Sequence, residues 1–482
     1  MKKICLFLLA LLLISCTAKH LENVAVIEGK VLSGEIKEVT FEWISDNPIQ
    51  NKGETYVAEL DDNACFSIRI PVQWIATGRI ASGNSCHDIS LLPGDKLFIT
   101  IDADTIHYSG KGAGKNNFLY AIELKELNDG AYYEETNRCA LAPAEFLEAM
   151  TDFKQQRLNF LRAYQDSVDV QKEFVDLFKV ETQVIFEDLI QGYPERYSYF
   201  NRVPLDSLEL PAFFSQLKSF SNNIDDAKVI SSRYMSNVLA QLYMKASDIC
   251  KADTSRIYQD VIHILLFDSL SGLTREYVLT KWILSSFSFD TYDTIAIAKF
   301  AEMEKSDLAQ QTFDSGLSKY DEKRSLIGKP INEAFFNTLL RDTCNALLTF
   351  GEMMEKYKGK VVYLDFWGMG CGPCRAAMPY AKILKERLAA FPIEFVYLSV
   401  ESIRSEDWNN VFDVTFTSRN HYVIEHGFNS QLHKFMEINW VPCYMIIDKE
   451  GRLTDYNANR PSQMVEHGET ELEKTLKNLA SI

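Results

Sequence analysis

Apolar and polar residues alternate along the first part of the chain, residues 22–108, as they do in strands with one buried face. Apolar side chains occupy Phe66, Ile68 and Ile70, with polar or small residues between them, after the turn-forming residues at 61–63. The segment "LLPGDKLFITID" repeats this alternation around a Pro-Gly turn. We therefore predict that antiparallel strands form a small β-sandwich domain over residues 22–108.

Two cysteines of this region are candidates for a structural disulfide. The alternation sends Cys65 to the polar face of its strand, and Cys86 lies in the polar segment 84–88. We therefore predict a Cys65–Cys86 bond. Two unpaired thiols are the alternative, because a bridge requires a geometry that the sequence does not establish.

The middle of the chain, residues 110–325, has the spacing of amphipathic helices. Phe174 and Phe178 belong to one such apolar stripe, and Gly192 with Pro194 predicts the end of that helix. The pattern predicts an α-helical region between two domains whose sequence patterns differ.

At the start of the helical region, the segment "GKGAGKNN" at 110–117 has the glycines and lysine that phosphate-binding loops use. Its spacing differs from GxxxxGK[ST], and neither Ser nor Thr follows Lys115. We interpret the segment as a flexible connection from a strand to a helix, without a nucleotide site.

The last part of the chain, residues 326–482, alternates between strand and helix patterns. Residues 361–367 are apolar except for Asp365, which is typical of a strand buried on both faces. A helical segment and the strand 393–400 follow, so the pattern predicts a βαβ unit with parallel strands. Later segments predict an antiparallel hairpin and a final helix, which gives an α/β domain.

The first of these strands leads into a CxxC motif. Cys371 and Cys374 are separated by Gly372 and Pro373 at the predicted start of a helix. Unpaired N–H groups at a helix N-terminus favour negative charge, which lowers the pKa of a thiol from about 8.5 towards neutrality. We therefore predict that Cys371 is the attacking thiol and that Cys374 resolves the mixed disulfide.

The beginning of the chain carries an export signal. Lys2 and Lys3 precede the apolar residues 4–14, a stretch too short to span a bilayer. The sequence Leu-Ile-Ser-Cys that ends at Cys16 resembles the lipobox of bacterial lipoproteins. That resemblance implies that residues 1–15 are removed as a signal peptide and that Cys16 is lipidated. An ordinary secretory signal is the alternative, and with either signal we expect the chain to leave the cytoplasm. With the lipid anchor we expect it in the cell envelope, facing the periplasm.

Composition and charge narrow the function classes. With 482 residues the chain is long enough for several domains, and 46% hydrophobic residues exclude wholesale disorder. The 50 basic and 67 acidic residues give a net charge of −17, and the basic residues form no block. Nucleic acid is therefore not an expected partner.

Residues of about 326–482 resemble the thioredoxin-fold domain of the TlpA-like (ResA-like) thiol:disulfide oxidoreductase family. The resemblance is carried by "DFWGMGCGPCR", by Pro379, by "WVPCYMIIDKEGR" and by "NRPS" near the end. It implies a thioredoxin fold and a disulfide reductase that uses Cys371 and Cys374 as its redox pair, without a cofactor or bound metal. The implied partners are disulfide-containing envelope proteins and an upstream thiol that donates electrons.

The same resemblance assigns further site residues. It implies a cis peptide bond between Val441 and Pro442, backbone hydrogen bonds from Val441 to a bound substrate, and a substrate-binding position for Trp367. Asp365 matches the buried acid beneath the active site, and we expect it to accept the proton of Cys374 as a general base. A structural, hydrogen-bonded acid is the alternative for Asp365.

Two positions depart from the family pattern. Gly370 stands where many relatives carry Trp before the first cysteine, and Tyr397 stands where classical thioredoxins place a Lys near the buried acid. The first change widens the approach to the thiol. The second leaves Asp365 without a nearby cation that would hold down its pKa. Both changes leave the substrate range and the redox potential open.

Other functions compete with disulfide reduction. Cys443, with His421, His426 or His433, could join the CxxC in a protein that binds or transfers copper or zinc, although no second CxxC accompanies the first. A binding or scaffolding lipoprotein is a further alternative for the first two regions. We favour the hypothesis that the protein is a lipid-anchored envelope enzyme that reduces protein disulfides.

Overall fold

The computed structural model describes most of the chain beyond the signal segment. The described residues are 23–32, 36–50, 53–83, 85–103, 105–128, 138–211, 214, 224, 226, 229–401, 420–436 and 438–481. The predicted signal peptide and Cys16 lie outside them. Among the described residues, no helix is long and apolar enough to cross a membrane.

These residues divide into two compact units. The first contains the described residues of Met1–Ser285 and Tyr292–Asp314, and the second contains Ser286–Thr291 and Ser315–Ile482. The first unit thus includes both the predicted strand region and most of the predicted helical region.

Two four-stranded sheets form the beginning of the first unit. Their strands are β1 (Val24–Val31), β2 (Glu38–Ser45), β3 (Glu54–Glu59), β4 (Cys65–Pro71), β5 (Ala76–Ser82), β6 (Ser85–Leu91), β7 (Lys96–Asp102) and β8 (Thr105–Lys111). One sheet has the strand order β4-β1-β7-β8, and the other has the order β3-β2-β5-β6. Only β1 and β7 pair in parallel in these sheets, as far as the described strands show.

A single apolar core lies between the two sheets. Ile27 and Ile99 enter it from the first sheet, and Phe41 and Ile80 enter it from the second. All four side chains are buried because alternate residues of each strand face the other sheet. Of the apolar positions predicted on β4, Phe66 and Ile70 are buried in this core, and Ile68 is partly buried and packs against it.

Cys65 and Cys86 do not form the predicted disulfide, because the fold places them in different sheets. Cys65 begins β4, an edge strand that packs beside β3, whereas Cys86 lies on β6, the opposite edge of the other sheet. Both are free thiols. The alternation of apolar and polar residues predicted which face of each strand is buried. It could not predict the order of the strands, which separates the two sulfurs.

Helices follow the two sheets. Their bounds are α1 (Ala113–Glu123), α2 (Pro143–Gln165), α3 (Lys172–Asn201), α4 (Ser232–Ala252), α5 (Tyr258–Asp268), α6 (Gly272–Ser288), α7 (Thr294–Glu302) and α8 (Asp307–Arg324). Helix α3 continues through Pro194, so the predicted end at Gly192 and Pro194 is wrong. Tyr193 stabilises this part of the helix, since its ring stacks on Phe146 and its hydroxyl donates to the carbonyl of Leu141 at 2.7 Å.

The connection between β8 and α1 is a buried polar network, not the flexible linker that we predicted. Lys115 is fully buried, and its Nζ donates to Oδ2 of Asp95 at 2.5 Å and to Oε1 of Gln171 at 2.8 Å. Gly112 has a φ of 95°, and a Cβ there would lie 2.5 Å from the Asp95 carboxylate. The glycine therefore allows the chain to turn closely around this ion pair.

A seven-stranded sheet is the centre of the second unit. Its strands are β9 (Leu339–Asp342), β10 (Leu347–Thr349), β11 (Val361–Trp367), β12 (Ile393–Ser399), β13 (His421–Ile424), β14 (Cys443–Ile447) and β15 (Leu453–Asp455). The order is β10-β9-β13-β12-β11-β14-β15, with β11, β12 and β13 parallel. The β9–β10 hairpin extends the β13 side of the sheet, and the sequence patterns had not predicted it.

Helices cover both faces of this sheet. They are α9 (Glu333–Phe336), α10 (Phe350–Glu355), α11 (Gly372–Arg387), α12 (Gln431–Met436) and α13 (Glu471–Ser481). Leu364 and Phe366 of β11 face one apolar cluster, whereas Tyr363 and Trp367 face the other, which also contains Cys374 of α11. Alternation places Asp365 on the face that carries Cys374.

The second unit also includes residues that precede the predicted domain boundary at residue 326. The hydroxyl of Tyr456 donates to Oδ1 of Asp290 at 2.5 Å, and Nη1 of Arg324 donates to the same oxygen at 3.0 Å. Phe287 stacks on Tyr320 with ring centroids 4.7 Å apart. These contacts attach the segment Ser286–Thr291 to the unit.

Candidate active site

The CxxC motif lies where β11 ends and α11 begins. Cys371 caps the N-terminus of the helix, and its sulfur accepts a hydrogen bond from the backbone N–H of Cys374 at 3.1 Å. Cys374 is buried, whereas Gly372 and Pro373 are exposed in the first turn. A sulfur at this position receives both an N–H donor and the positive end of the helix dipole, so the site favours a thiolate on Cys371.

Cys371 and Cys374 form a disulfide in the structure, with their Cα atoms 5.3 Å apart. The other cysteines among the described residues are free thiols: Cys65, Cys86, Cys139, Cys250, Cys344 and Cys443. The two sulfurs of the motif can therefore exchange between a dithiol and a disulfide within one helical turn.

The segment before β14 lies against the sulfur of Cys371. The Val441–Pro442 peptide bond is cis, as the resemblance implied. The carbonyl oxygen of Val441 is 3.6 Å from Sγ of Cys371. Residues 70 positions apart in sequence thus lie together, and the backbone of Val441 borders the sulfur of Cys371.

Pro442 also lines a small cavity. It has a volume of about 110 Å³, and Phe289, Trp440 and Cys443 are among the residues that line it. The rings of Phe289 and Trp440 are 6.0 Å apart between centroids, and both rings are partly exposed. Two partly exposed aromatic rings therefore border the cavity next to the cis proline.

Asp365 lies within the sheet below the motif. It is opposite Tyr397 of β12 and Tyr444 of β14, and only 2% of its surface is exposed. Its Oδ1 has no hydrogen-bond partner among the described residues. Burial raises the pKa of Asp365 to about 8. The acid can therefore hold or release a proton near neutral pH.

The position of Trp367 does not support the substrate-binding role that the resemblance implied. Only 2% of its surface is accessible, because the indole packs on the Cys374 face of the sheet and meets the ring of His421 edge-on at 6.2 Å. We therefore correct its role to that of a buried residue that supports the site. Trp440, the residue before Val441, has 43% of its surface exposed.

The histidines considered for a metal site are separated by the fold. His421 lies on β13 and His433 lies on α12, and both are buried. Burial lowers the pKa of His421 to about 3 and that of His433 to about 4. Among the described residues, no group of three or more His, Cys, Asp or Glu side chains is arranged to hold a metal ion.

Comparison with known proteins identifies the domain around this site. The family model described as thioredoxin-like matches residues 359–453. The C-terminal part of the chain contains a thioredoxin-like domain. The match includes the strand that carries Asp365, the CxxC motif and the cis proline, so it confirms the resemblance drawn from the sequence.

Curated relatives of the thioredoxin-like domain are enzymes of thiol-disulfide exchange. The thiol-disulfide oxidoreductase ResA of Bacillus thuringiensis subsp. konkukian is 28% identical over 102 residues, which are 21% of this chain and 56% of the relative. ResA of Oceanobacillus iheyensis is 25% identical over 104 residues, which are 51% of that protein. The chain therefore spans about half the length of these curated relatives.

Solved structures similar to the thioredoxin-like domain have related names. The thioredoxin domain of a thiol-disulfide oxidoreductase from Bacteroides vulgatus is 19% identical, with a TM-score of 0.24, and the match covers 30% of this chain and 91% of that one. A thiol:disulfide interchange protein from Bacteroides sp. is 19% identical, with a TM-score of 0.25, over 30% of this chain and 86% of that one.

Proposed function

We propose that this chain is a lipid-anchored envelope thiol:disulfide oxidoreductase that reduces disulfides of other proteins. The observation that carries the proposal is the redox pair itself: Cys371 begins a helix, receives an N–H from Cys374, and lies 3.6 Å from the carbonyl oxygen of Val441. The relatives named as thiol-disulfide oxidoreductases support the same chemistry.

The first step is attack by Cys371 on a substrate disulfide. The Cys371 thiolate bonds to one substrate sulfur, the substrate S–S bond breaks, and the second substrate sulfur leaves as a thiolate that takes a proton from water. Backbone contacts along Val441 and Pro442 hold the substrate chain beside the reactive sulfur.

The second step releases the substrate. Cys374 gives its proton to Asp365 and attacks Sγ of Cys371, and the mixed disulfide breaks as the first substrate sulfur leaves as a thiolate. Two electrons have then passed to the substrate, and Cys371 and Cys374 are joined as they are in the structure. A reduced protein thiol upstream supplies the two electrons that restore the dithiol.

We infer the direction of exchange from the turn between the cysteines. The Gly372-Pro373 pair resembles reductases more than oxidants. We expect a reduction potential near the reducing end, about −270 mV as in thioredoxin, and not near the oxidising end of about −120 mV.

The remaining parts of the chain position this chemistry at the membrane surface. Residues 1–15 act as the signal peptide, lipid on Cys16 anchors the protein, and the redox domain faces the periplasm. The two N-terminal sheets form a β-sandwich that, with the helical region, binds a partner or separates the redox domain from the membrane.

Trapping of mixed disulfides tests the proposed function. The Cys374→Ala protein should accumulate mixed disulfides between Cys371 and its substrates, because the first step proceeds and the second is blocked. The adducts can be separated on non-reducing gels and identified by mass spectrometry after reduction. Cys371→Ala should trap none of them, and Cys344→Ala, which removes an exposed cysteine away from the motif, should behave as the parent protein.

Two outcomes would reject the proposal. Equal adducts in the Cys374→Ala and Cys371→Ala proteins would show that Cys371 is not the attacking thiol. A protein that traps no thiol partner but binds copper or zinc tightly through the reduced pair would replace disulfide reduction with metal transfer.

A further inference from the structure

A carboxylate that the sequence motifs did not identify contacts the loop before the CxxC motif. Oε2 of Glu401 accepts the backbone N–H of Met369 at 2.7 Å and that of Gly370 at 3.4 Å. Glu401 follows β12, whereas the loop follows the neighbouring strand β11. One side chain thus bridges the ends of two central strands directly before Cys371.

The backbone of Glu401 is itself held in place. Ser399 is fully buried, its Oγ donates to the carbonyl oxygen of Glu401 at 2.9 Å, and the N–H of Glu401 donates to the same Oγ at 3.2 Å. The N–H of Val400 donates to the carbonyl oxygen of Trp367 at 2.9 Å. These bonds fix the direction from which the carboxylate approaches the loop.

Gly368 leaves space for the carboxylate of Glu401. A Cβ at Gly368 would lie 2.8 Å from Oε1 of Glu401, closer than such atoms approach. A Cβ at Gly370 would lie 3.8 Å from the same oxygen, which is an ordinary contact. The carboxylate therefore lies beside Gly370, the residue directly before Cys371.

We propose that Glu401 is a positioning residue that holds the loop at 368–370 and places a negative charge against Gly370, the residue directly before the attacking thiol Cys371. The inference rests on the proposed function and adds a residue that adjusts the reactivity of Cys371. A negative charge disfavours a neighbouring thiolate, and it opposes the helix N-terminus at Cys371. It also disfavours the reduced pair relative to the disulfide, so it makes the couple more reducing.

The charge of Glu401 can be separated from its hydrogen bonds by substitution. Glu401→Gln keeps the size and an acceptor oxygen for the loop N–H groups but removes the charge, whereas Glu401→Ala removes both. Glu386→Gln is the matched control, because Glu386 is exposed on the last turn of α11, about 20 Å along the helix from the motif. The ionisable groups on the adjacent elements, Asp365, Arg375 and Cys443, stay unchanged in all three proteins.

The reactivity of Cys371 is the direct measurement. The reduced full chain is alkylated with iodoacetamide across a pH series, and mass spectrometry follows the Cys371 peptide alone. We expect Glu401→Gln to shift the titration to lower pH and to raise the alkylation rate at pH 6 by about two- to fivefold, with a smaller gain in high salt. Equilibration with glutathione should give a less negative potential than the parent protein has.

The outcomes decide the inference independently of the proposed function. If Glu401→Gln leaves the titration and the potential of Cys371 unchanged, or if Glu386→Gln changes them equally, the charge of Glu401 has no role beside the thiol. If only Glu401→Ala changes the reactivity, the residue acts through loop geometry alone and the electrostatic inference is rejected. Neither measurement needs a substrate, so failure of the trapping experiment would leave this result standing.

Discussion

Asp365 lies directly opposite Tyr397 across the two parallel strands β11 and β12, and both side chains are buried. The tyrosine occupies the position where classical thioredoxins place a lysine, so Asp365 has an aromatic neighbour there in place of a cation. Burial then dominates, and the pKa of Asp365 rises to about 8. This relationship affects both the stability of the domain and the pH dependence of the second chemical step.

The stability of the thioredoxin-like domain should depend on pH through Asp365. The pKa of this group is higher in the folded chain than in the unfolded one, so its contribution is fully present below about pH 4 and is lost as the pH rises through about 8. Asp365→Asn should therefore gain stability over the parent protein by up to about 1.4 kcal/mol for each pH unit in this window. Guanidinium chloride unfolding from pH 5 to 8.5 measures it, with the exposed Asp321→Asn as control. A gain that does not grow with pH would contradict the assignment.

The rate of substrate release should also depend on the ionisation of Asp365. Resolution by Cys374 requires Asp365 to accept a proton, so the rate should increase as the pH rises through about 8 in the parent protein. Asp365→Asn should slow resolution by about 100-fold and make it depend on pH only through the thiol. Single-turnover decay of a preformed Cys371 mixed disulfide gives this rate. Equal rates in the two proteins would show that Asp365 is a structural acid only.

Cys443 should not be needed for turnover, although it follows the cis proline. Burial raises the pKa of its thiol to about 12, so the thiol remains protonated and is a poor nucleophile at neutral pH. We expect Cys443→Ala to keep most of the disulfide reductase activity and the mixed disulfides of Cys371 to be unaffected. Turnover with a model protein disulfide is the measurement. A loss as large as that of Cys374→Ala would assign Cys443 a role as an auxiliary thiol.

The buried ion pair between Lys115 and Asp95 should be important for the stability of the first unit. Both side chains are fully buried, and the loss of one partner leaves an uncompensated charge. Lys115→Met should cost about 3–5 kcal/mol in the free energy of unfolding. Urea denaturation compares it with Lys111→Met, which changes an exposed lysine at the end of β8. A similar small loss for both variants would mean that the pair does not stabilise the fold.

Membrane attachment should depend on Cys16. If this cysteine is lipidated, the Cys16→Ser protein should remain uncut or be released as a soluble protein. Partitioning into detergent, together with the mass of the mature N-terminus, distinguishes these products. Membrane association that persists after normal cleavage would exclude a lipid anchor as its cause.

The sequence by itself determined the local architecture of the redox domain. Residues 361–367 were predictable as a buried strand because they are apolar on both faces. The CxxC motif, followed by helix-forming residues, determined where α11 begins. These features depend on periodicity and local backbone preference, which neighbouring residues encode. The cis proline was also predictable, because it belongs to a motif shared with the resembled family.

Only the tertiary structure decided which distant residues meet. Cys65 and Cys86 lie on strands of two different sheets, so they do not meet. Packing around Tyr193 stabilises α3 beyond Pro194, although a proline locally favours the end of a helix. Glu401 reaches the loop before Cys371 because β11 and β12 are adjacent and parallel, so their C-terminal ends lie together. Spacing in the sequence contains no signal for such contacts, because they depend on how whole elements pair and pack.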